Sequence, residues 1–298
     1  MSRSSSPFDV FIIVNFRKNI ITKKAWRYGA SIPRFCSRLS SDGTDWKRNP
    51  AVLVNSFPKS GTHLLSQILG VLPGLRDWGN FWASNPSLTL KERAPVKMAK
   101  SIRGVASGEL VCAHLNYSEP VAEALRDKNI VHYFIYRDPR DVVVSEAYYL
   151  AHMNRWHRMH NRFKRLGSQT ERVLLSIRGL PEGGVRYPNI GERFKMFEGW
   201  INNPSVCSIT YEDLVSERQE EVLRKIFCHY EDQVGAGIDV EEMVAASQEA
   251  IDPHRSHTFR RGGSGGWKAD FNEDLTSAFK AATGDLLVKL GYEESGNW

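Results

Sequence analysis

Cysteine is scarce in this chain of 298 residues: four thiols, at positions 36, 112, 207 and 228, with no CxxC pair among them. Thiols so scattered make neither a disulfide framework nor a zinc ligand set, and predict reduced, mostly buried side chains in a cytosolic protein. Long apolar runs are missing too. No stretch approaches the ~20 residues that a membrane-spanning helix needs. The short apolar run at residues 8–16 is interrupted by Asp9 and lacks a small-residue cleavage pattern, which argues against a secretory signal. Acidic residues are sparse in one region only. Residues 1–48 hold ten Lys and Arg against three acids (Asp9, Asp42 and Asp45), whereas the whole chain carries 40 against 34. The rest of the chain is therefore close to neutral. A nucleic-acid enzyme shows a broader basic face with interleaved aromatics, so that class is set aside. The basic segment reads as a solvated N-terminal extension, with weak contact to an anionic membrane surface as its alternative use.

Hydrophobic residues make up 41% and charged residues 25%, enough to bury a proper core. Beyond residue 48 the pattern alternates. Short apolar runs at 52–57, 110–113 and 130–136 read as strands, and residues 63–71 and 118–127 between them have helical spacing. Asp138-Pro139 then opens a further helix, with proline where a first turn tolerates it. The alternation predicts an α/β fold: a central, mostly parallel sheet flanked by helices, a P-loop-like sandwich of three layers in a single domain from 49 to 298. Such sheets bind ligands at the carboxyl ends of their strands. Two turns stand at such ends, after Phe57 and after Tyr136. Residues 151–190 break the rhythm: 151–170 holds five Lys or Arg, three His and no acid, and 179–188 is rich in Gly and Pro. That insertion predicts a lid or acceptor wall, with Trp156, Phe163 and Tyr187 as its aromatic lining. A strand at Val206–Thr210 and helices at 217–230, Val240–Ala250 and 274–290 complete the chain, with Gly291 as the last stop signal.

The turn after the first strand reads Asn55-Ser56-Phe57-Pro58-Lys59-Ser60-Gly61-Thr62. A lysine-bearing turn between a strand and a helix aims backbone N–H groups and a helix dipole at one spot, suited to phosphate or sulfate. In the nucleoside-triphosphate loop, GxxxxGKS/T, the lysine follows the last glycine and the next hydroxyl holds magnesium. Here Lys59 precedes Gly61, and no GKS or GKT occurs in the chain. The turn is built for an anionic nucleotide other than Mg-ATP. The second turn opens RDPRDVVVS, placing Arg137 at a strand end and Ser145 eight residues on, two turns into the helix. Both can converge on one phosphate. Asp138 and Asp141 sit in that helix's first turn, where carboxylates cap N–H groups, and read as structural.

Together these elements resemble the sulfotransferases that use 3′-phosphoadenosine 5′-phosphosulfate (PAPS). PKSGT is similar to their 5′-phosphosulfate loop and RDPRDVVVS to their 3′-phosphate element. FRRGGSGGWK, at 259–268, is similar to their RKGxxGDWK loop, with Gly266 where the family has aspartate. The resemblance runs from about residue 50 to 292. It implies that Lys59, Ser60, Gly61, Thr62 and His63 hold the 5′-phosphosulfate, and that Arg137, Ser145, Arg260, Arg261 and Gly262 hold the 3′-phosphate. It places Tyr211 near adenine. The family's stacking tryptophan matches Leu64, which leaves Tyr211 and Trp267 as substitutes. His114 stands where the family has its catalytic histidine, preceded here by Cys112-Ala113 instead of Lys-Thr. The implied chemistry is sulfuryl transfer from PAPS to a hydroxyl or amine of a small molecule or sugar, leaving PAP. His114 would be the general base, Lys59 would stabilise the leaving group, and no metal would be needed.

Two other classes compete: a small-molecule kinase with a P-loop, disfavoured by the lysine's position, and a non-catalytic nucleotide- or polyanion-binding protein, disfavoured by intact Lys59 and His114. His152, His157 and His160 carry basic neighbours, Arg155, Arg158 and Arg162, which would repel a cation; a solvated helix face or an anion-favouring acceptor wall is expected instead. His132 alternates with apolar neighbours and reads as structural. The acceptor's identity and any homo-oligomer are left open.

Overall fold

Five consecutive buried residues, Val52–Ser56, form β1, the middle strand of the sheet. The computed structural model describes residues 47–180, 186–252 and 263–298, with residue 32 and residues 34–36. Four more strands join β1: β2 (Phe81–Ala83), β3 (Leu110–His114), β4 (Val131–Tyr136) and β5 (Val206–Thr210), in the spatial order β2-β3-β1-β4-β5. Every pairing is parallel. Parallel sheets are covered on both faces, which is why these strands read as continuous apolar runs.

Alternation along β1 splits its side chains between two cores. Leu53 joins Val111 and Phe134 on one face, packed with α2 (Pro95–Arg103), α3 (Glu119–Asp127), α4 (Pro139–Tyr148), α5 (Gln169–Arg178) and α8 (Glu273–Thr283). Val52 and Val54 join Tyr133 and Ile135 on the other, under α1 (Thr62–Leu69), α6 (Gln219–Val234) and α7 (Val240–Ala250). The result is the three-layer α/β sandwich expected from the alternation.

Several local features differ from expectation. β2 has three residues, one of them exposed, and so carries no readable period. The stretch 274–290 is two helices, α8 and Leu286–Lys289, because Gly284 takes a φ of 57° and stops the first. α4 passes directly into a π-helical turn, Tyr149–Met153, which buries Leu150 and Ala151. Cys207 is buried, and burial pushes its thiol up to about 11, but Cys36 and Cys228 are exposed. No helix among the described residues is long and apolar enough to cross a membrane.

Two knots fix the carboxyl ends of the central strands. The buried Asn55 side chain accepts from the backbone N–H of Ser56 (3.0 Å) and of Leu115 (2.9 Å), locking the exit of β3 to the exit of β1. Phe57 N–H donates to the Ile135 carbonyl at 3.0 Å, which ties in β4. Arg140, 3% exposed, bonds Asp138 through Nε and Nη2 and Glu293 through Nη1. Its guanidinium lies 4.0 Å from the Trp267 ring centroid and 4.7 Å from that of Trp298, so it binds the C-terminal tail to the start of α4. Removing it strands two carboxylates. Arg140→Ala is expected to cost about 3–5 kcal/mol in urea unfolding; a loss below ~1 kcal/mol would show that the cluster contributes no more than a surface pair.

Candidate functional site

The turn after β1 is held in an unusual shape. Lys59 has φ 71° and Gly61 φ 103°, both left-handed. At Gly61 no other residue fits, because a Cβ there would lie 2.7 Å from Tyr211 Cδ2. Lys59 adopts the same region with a side chain, which costs energy and marks a backbone held by its surroundings. Gly61 is also the N-cap of α1 and supplies no capping side chain, so first-turn N–H groups face outward for a ligand. Ser60 is fully buried and its Oγ has no hydrogen-bond partner among the described residues. Lys59 Nζ sits 3.9 Å from the centroid of the Tyr149 ring. Burial lowers the lysine to about 8; nearby Glu146 opposes that shift and Arg137 adds to it.

His114 ends β3 and reaches over the exit of β1. Its Nδ1 lies 3.0 Å from the Ser56 carbonyl oxygen, which can only accept, so Nδ1 carries the proton and Nε2 has the lone pair. Ser56 Oγ stands 3.1 Å from the same nitrogen and 2.6 Å from Thr62 Oγ1, linking the histidine to the first residue of α1. Phe81 packs edge-on against the imidazole at 4.9 Å. Burial lowers His114 to about 4, against the opposing hydrogen bond to Ser56, and the ring is neutral at neutral pH.

Arg137, at the end of β4, donates from Nη2 to the Gly263 carbonyl (2.9 Å) and pairs with Asp141 (3.2 Å). Its guanidinium lies 4.5 Å from the Tyr211 ring centroid, and its buried Nε has no hydrogen-bond partner among the described residues. Asp141 in turn accepts from the backbone N–H of Gly265 and of Trp267, both at 2.8 Å. The late glycine-rich loop is thus fastened to α4. Arg260, Arg261 and Gly262 lie outside the described residues. A Cβ at Gly266 would come 3.6 Å from Asp141 Oδ1, so an aspartate there would face another carboxylate; here Asp141 itself anchors the loop. Asp138 caps α4 by accepting from Arg140 N–H at 2.8 Å, as a structural role requires.

These groups border one cavity of about 1410 Å³. Lys59, Gly61, Thr62, His63, Leu64 and Tyr211 line it together with His114, Arg137 and Ser145. Trp267 does not line it, because its ring packs on Arg140, Phe271 and Trp298. Tyr211 is the aromatic left at the Leu64 side. The opposite wall comes from His157, Arg158, Arg186 and Tyr187, and from a loop spanning Asn85 to Arg93 that carries no periodic signal in the sequence. Of the aromatics expected there only Tyr187 contributes: Trp156 is 62% exposed outside the cavity, and Phe163 is buried against Tyr187. His160 is buried too, its Nδ1 2.7 Å from the Leu150 carbonyl, and burial lowers His157 to about 4. Neither belongs to a solvated helix face.

A carboxylate that the sequence did not single out lies at the centre. Glu146, 8% exposed, accepts on Oε2 from Ser176 Oγ (2.6 Å), Tyr187 OH (2.7 Å) and Arg193 Nη1. Burial favours its neutral form, but Arg193, Ser176 and Tyr187 together hold it below the usual carboxylate range. It follows Ser145 directly, and only its burial in the structure distinguishes it from any surface glutamate. Among the described residues no cluster of three or more His, Cys, Asp and Glu could hold a metal ion.

The family model described as the sulfotransferase domain matches residues 49–291. Sulfotransferase 2B1 of Rattus norvegicus is 24% identical over 261 residues, covering 80% of this chain and 71% of the relative. The Mus musculus counterpart is 23% identical, covering 87% and 81%. Among solved structures, mouse sulfotransferase SULT7A1 complexed with PAP superposes with a TM-score of 0.55 at 19% identity, over 83% of this chain and 86% of that one. Retinol dehydratase in complex with androsterone and inactive cofactor PAP gives 0.54 at 16% identity, over 80% of each chain. The layered fold is common to this chain and both of these solved structures.

Asp141→Ala is expected to free the late loop without touching the sheet. Amide exchange at Gly265 and Trp267 should quicken by roughly 10–100-fold, the loss of one hydrogen bond to a charged group, while β1 and β4 keep their protection. Unchanged exchange at both amides would refute the fastening role.

Proposed function

The chain belongs to the sulfotransferase domain family, and from that premise we propose that it transfers the sulfuryl group of PAPS to a hydroxyl or amine of a small-molecule or sugar acceptor. The observation that carries this reading is the meeting of Lys59, Arg137 and His114 at one cavity, reached from three strand ends. Two buried donors, Ser60 Oγ in the turn behind the cavity lining and Arg137 Nε, lack hydrogen-bond partners among the described residues, a state that the oxygens of a bound anion would relieve. Lys59, Ser60, Gly61, Thr62 and His63 would hold the 5′ end of the donor. Arg137 and Ser145 would hold its 3′-phosphate, with Arg260, Arg261 and Gly262 arriving from the late loop. Tyr211 would flank the base. Residues 49–298 act as one domain in this reading, with 1–48 as an extension.

PAPS supplies an activated sulfuryl group; the S–O bond to the acceptor forms as the S–O bond to the 5′-phosphate breaks. The protein's part is proton transfer and charge. His114 presents an unprotonated Nε2 because the Ser56 carbonyl holds Nδ1–H, and that nitrogen takes the acceptor's proton, worth roughly 10²–10⁴ in rate. Lys59 offers positive charge where the departing oxygen gains its electrons. Arg137, held by Asp141, positions and does not react.

The two perturbed groups set a pH window for kcat/KM. His114 works unprotonated, so activity should fall as pH drops through about 4. Lys59 works protonated, so activity should fall as pH rises through about 8. An acid limb near the ordinary histidine value, unchanged by substitution at His114, would remove it as the base. His114→Ala should lower turnover by at least ~10² and leave PAP affinity intact, whereas Lys59→Ala should weaken both. PAP at ~100-fold over its dissociation constant should stabilise the fold by about 2.7 kcal/mol with magnesium chelated; a strict magnesium requirement would favour a kinase instead.

A further inference from the structure

Beyond Lys59 and Arg137, the lining of the cavity is unusually basic. Residues 85–93, 157–158 and 186–188 line the cavity, among them Lys91, Arg93, Arg158 and Arg186. None of these four has an acidic partner within 4.0 Å among the described residues, although the surface pairs of the molecule are plentiful elsewhere. The single acid in that wall, Glu92, accepts from Asn116 Nδ2 at 3.1 Å, and His157 is neutral at neutral pH. Nor is the charge a by-product of composition. The chain's excess of Lys and Arg lies in residues 1–48, and the remainder is close to neutral. Four cations without acidic partners among the described residues, all lining one cavity, raise the local concentration of anions there.

Their placement relative to the chemistry is fixed by backbone contacts. Ser84 N–H donates to the His114 carbonyl at 3.0 Å, and Arg93 N–H donates to the Ser84 carbonyl at 2.8 Å. Arg158 N–H donates to the Ser87 carbonyl at 2.8 Å, which brings the second basic segment onto the same loop. The wall therefore begins beside the base and runs outward. Apolar groups, Phe81, Leu90 and Phe197, also line the cavity. The donor already has its own cations, so the outer four need another counter-charge.

We propose that the acceptor is itself an anion: an apolar or aromatic skeleton that bears the hydroxyl to be sulfated and, on its far side, a carboxylate, phosphate or sulfonate seated among Lys91, Arg93, Arg158 and Arg186. This rests on the sulfotransferase reading above and narrows its substrate class. Arginine pairs with such groups through paired N–H donors, which gives orientation as well as charge. An acceptor gripped at that end has its hydroxyl directed inward, toward His114.

The test uses the full chain saturated with PAP and two matched pairs of probes, 4-hydroxyphenylacetate with 4-hydroxyphenylacetamide and 4-hydroxybenzenesulfonate with 4-hydroxybenzenesulfonamide. Calorimetry reads binding and PAPS-driven sulfation reads turnover. The anionic member of each pair should bind roughly tenfold tighter or more, with the gap shrinking as salt is added. The double variant Arg158→Gln, Arg186→Gln should abolish the gap and leave PAP affinity unchanged. Equal or tighter binding of the neutral members, no binding of either anion, or a loss of PAP affinity in the double variant would each overturn the proposal. Failure of PAP itself to bind the wild-type chain would sink the donor reading instead, and so is told apart.

Discussion

Asp141 is the contact on which the site's geometry depends. A buried carboxylate is tolerated only when its charge is matched and its lone pairs are taken. Here one side chain pairs with Arg137 and accepts the backbone N–H groups of Gly265 and Trp267. It stands in the first turn of α4, where the helix dipole also favours negative charge. One carboxylate thereby aligns a strand end, a helix start and a loop more than a hundred residues later in the chain. The arginine it orients is the group best shaped to take a phosphate, and the loop it holds is the one that flanks that phosphate in the proposed reading.

Around this anchor, burial acts on His114 and Lys59 in the same sense. Desolvation disfavours charge on both. For His114 this keeps the ring neutral, and the Ser56 carbonyl decides which nitrogen is free. For Lys59 it brings the ammonium close to its own titration, with Glu146 limiting the shift. Glu146 can do so because Arg193, Tyr187 and Ser176 hold it ionised in a place where a lone carboxylate would take a proton. The cavity and this network adjoin: Tyr187 and Arg193 line the cavity, and Lys59 lies over Tyr149, three residues after Glu146.

The sequence disclosed what is periodic or locally encoded. The buried strands around β1 were legible because both faces of a parallel strand are apolar, and the turns after Phe57 and Tyr136 because Lys59, Gly61 and Asp138-Pro139 have local conformational meaning. His114 was legible only through resemblance, since a lone histidine at a strand end has no spacing to betray it. Three things stayed hidden. Glu146 gains its character from Arg193 and Tyr187, far along the chain. β2 is too short for a period. The aromatic lining was misread because composition does not say which side a segment's aromatics face: after the π-helical turn at Tyr149–Met153, Trp156 stands outside and Phe163 in the core.

The wall opposite the phosphate-type loop is held by its main chain. The contacts of Ser84 with His114, of Arg93 with Ser84 and of Arg158 with Ser87 all run from backbone N–H to backbone carbonyl. Such bonds do not depend on which side chains those positions carry. The backbone scaffold of that loop and the side chains it displays toward the cavity are therefore separable units of inheritance. Point changes in the 84–93 loop can alter the charge of the cavity wall while Asn55, Ser56 and Asp141 go on holding His114 and Arg137 in place.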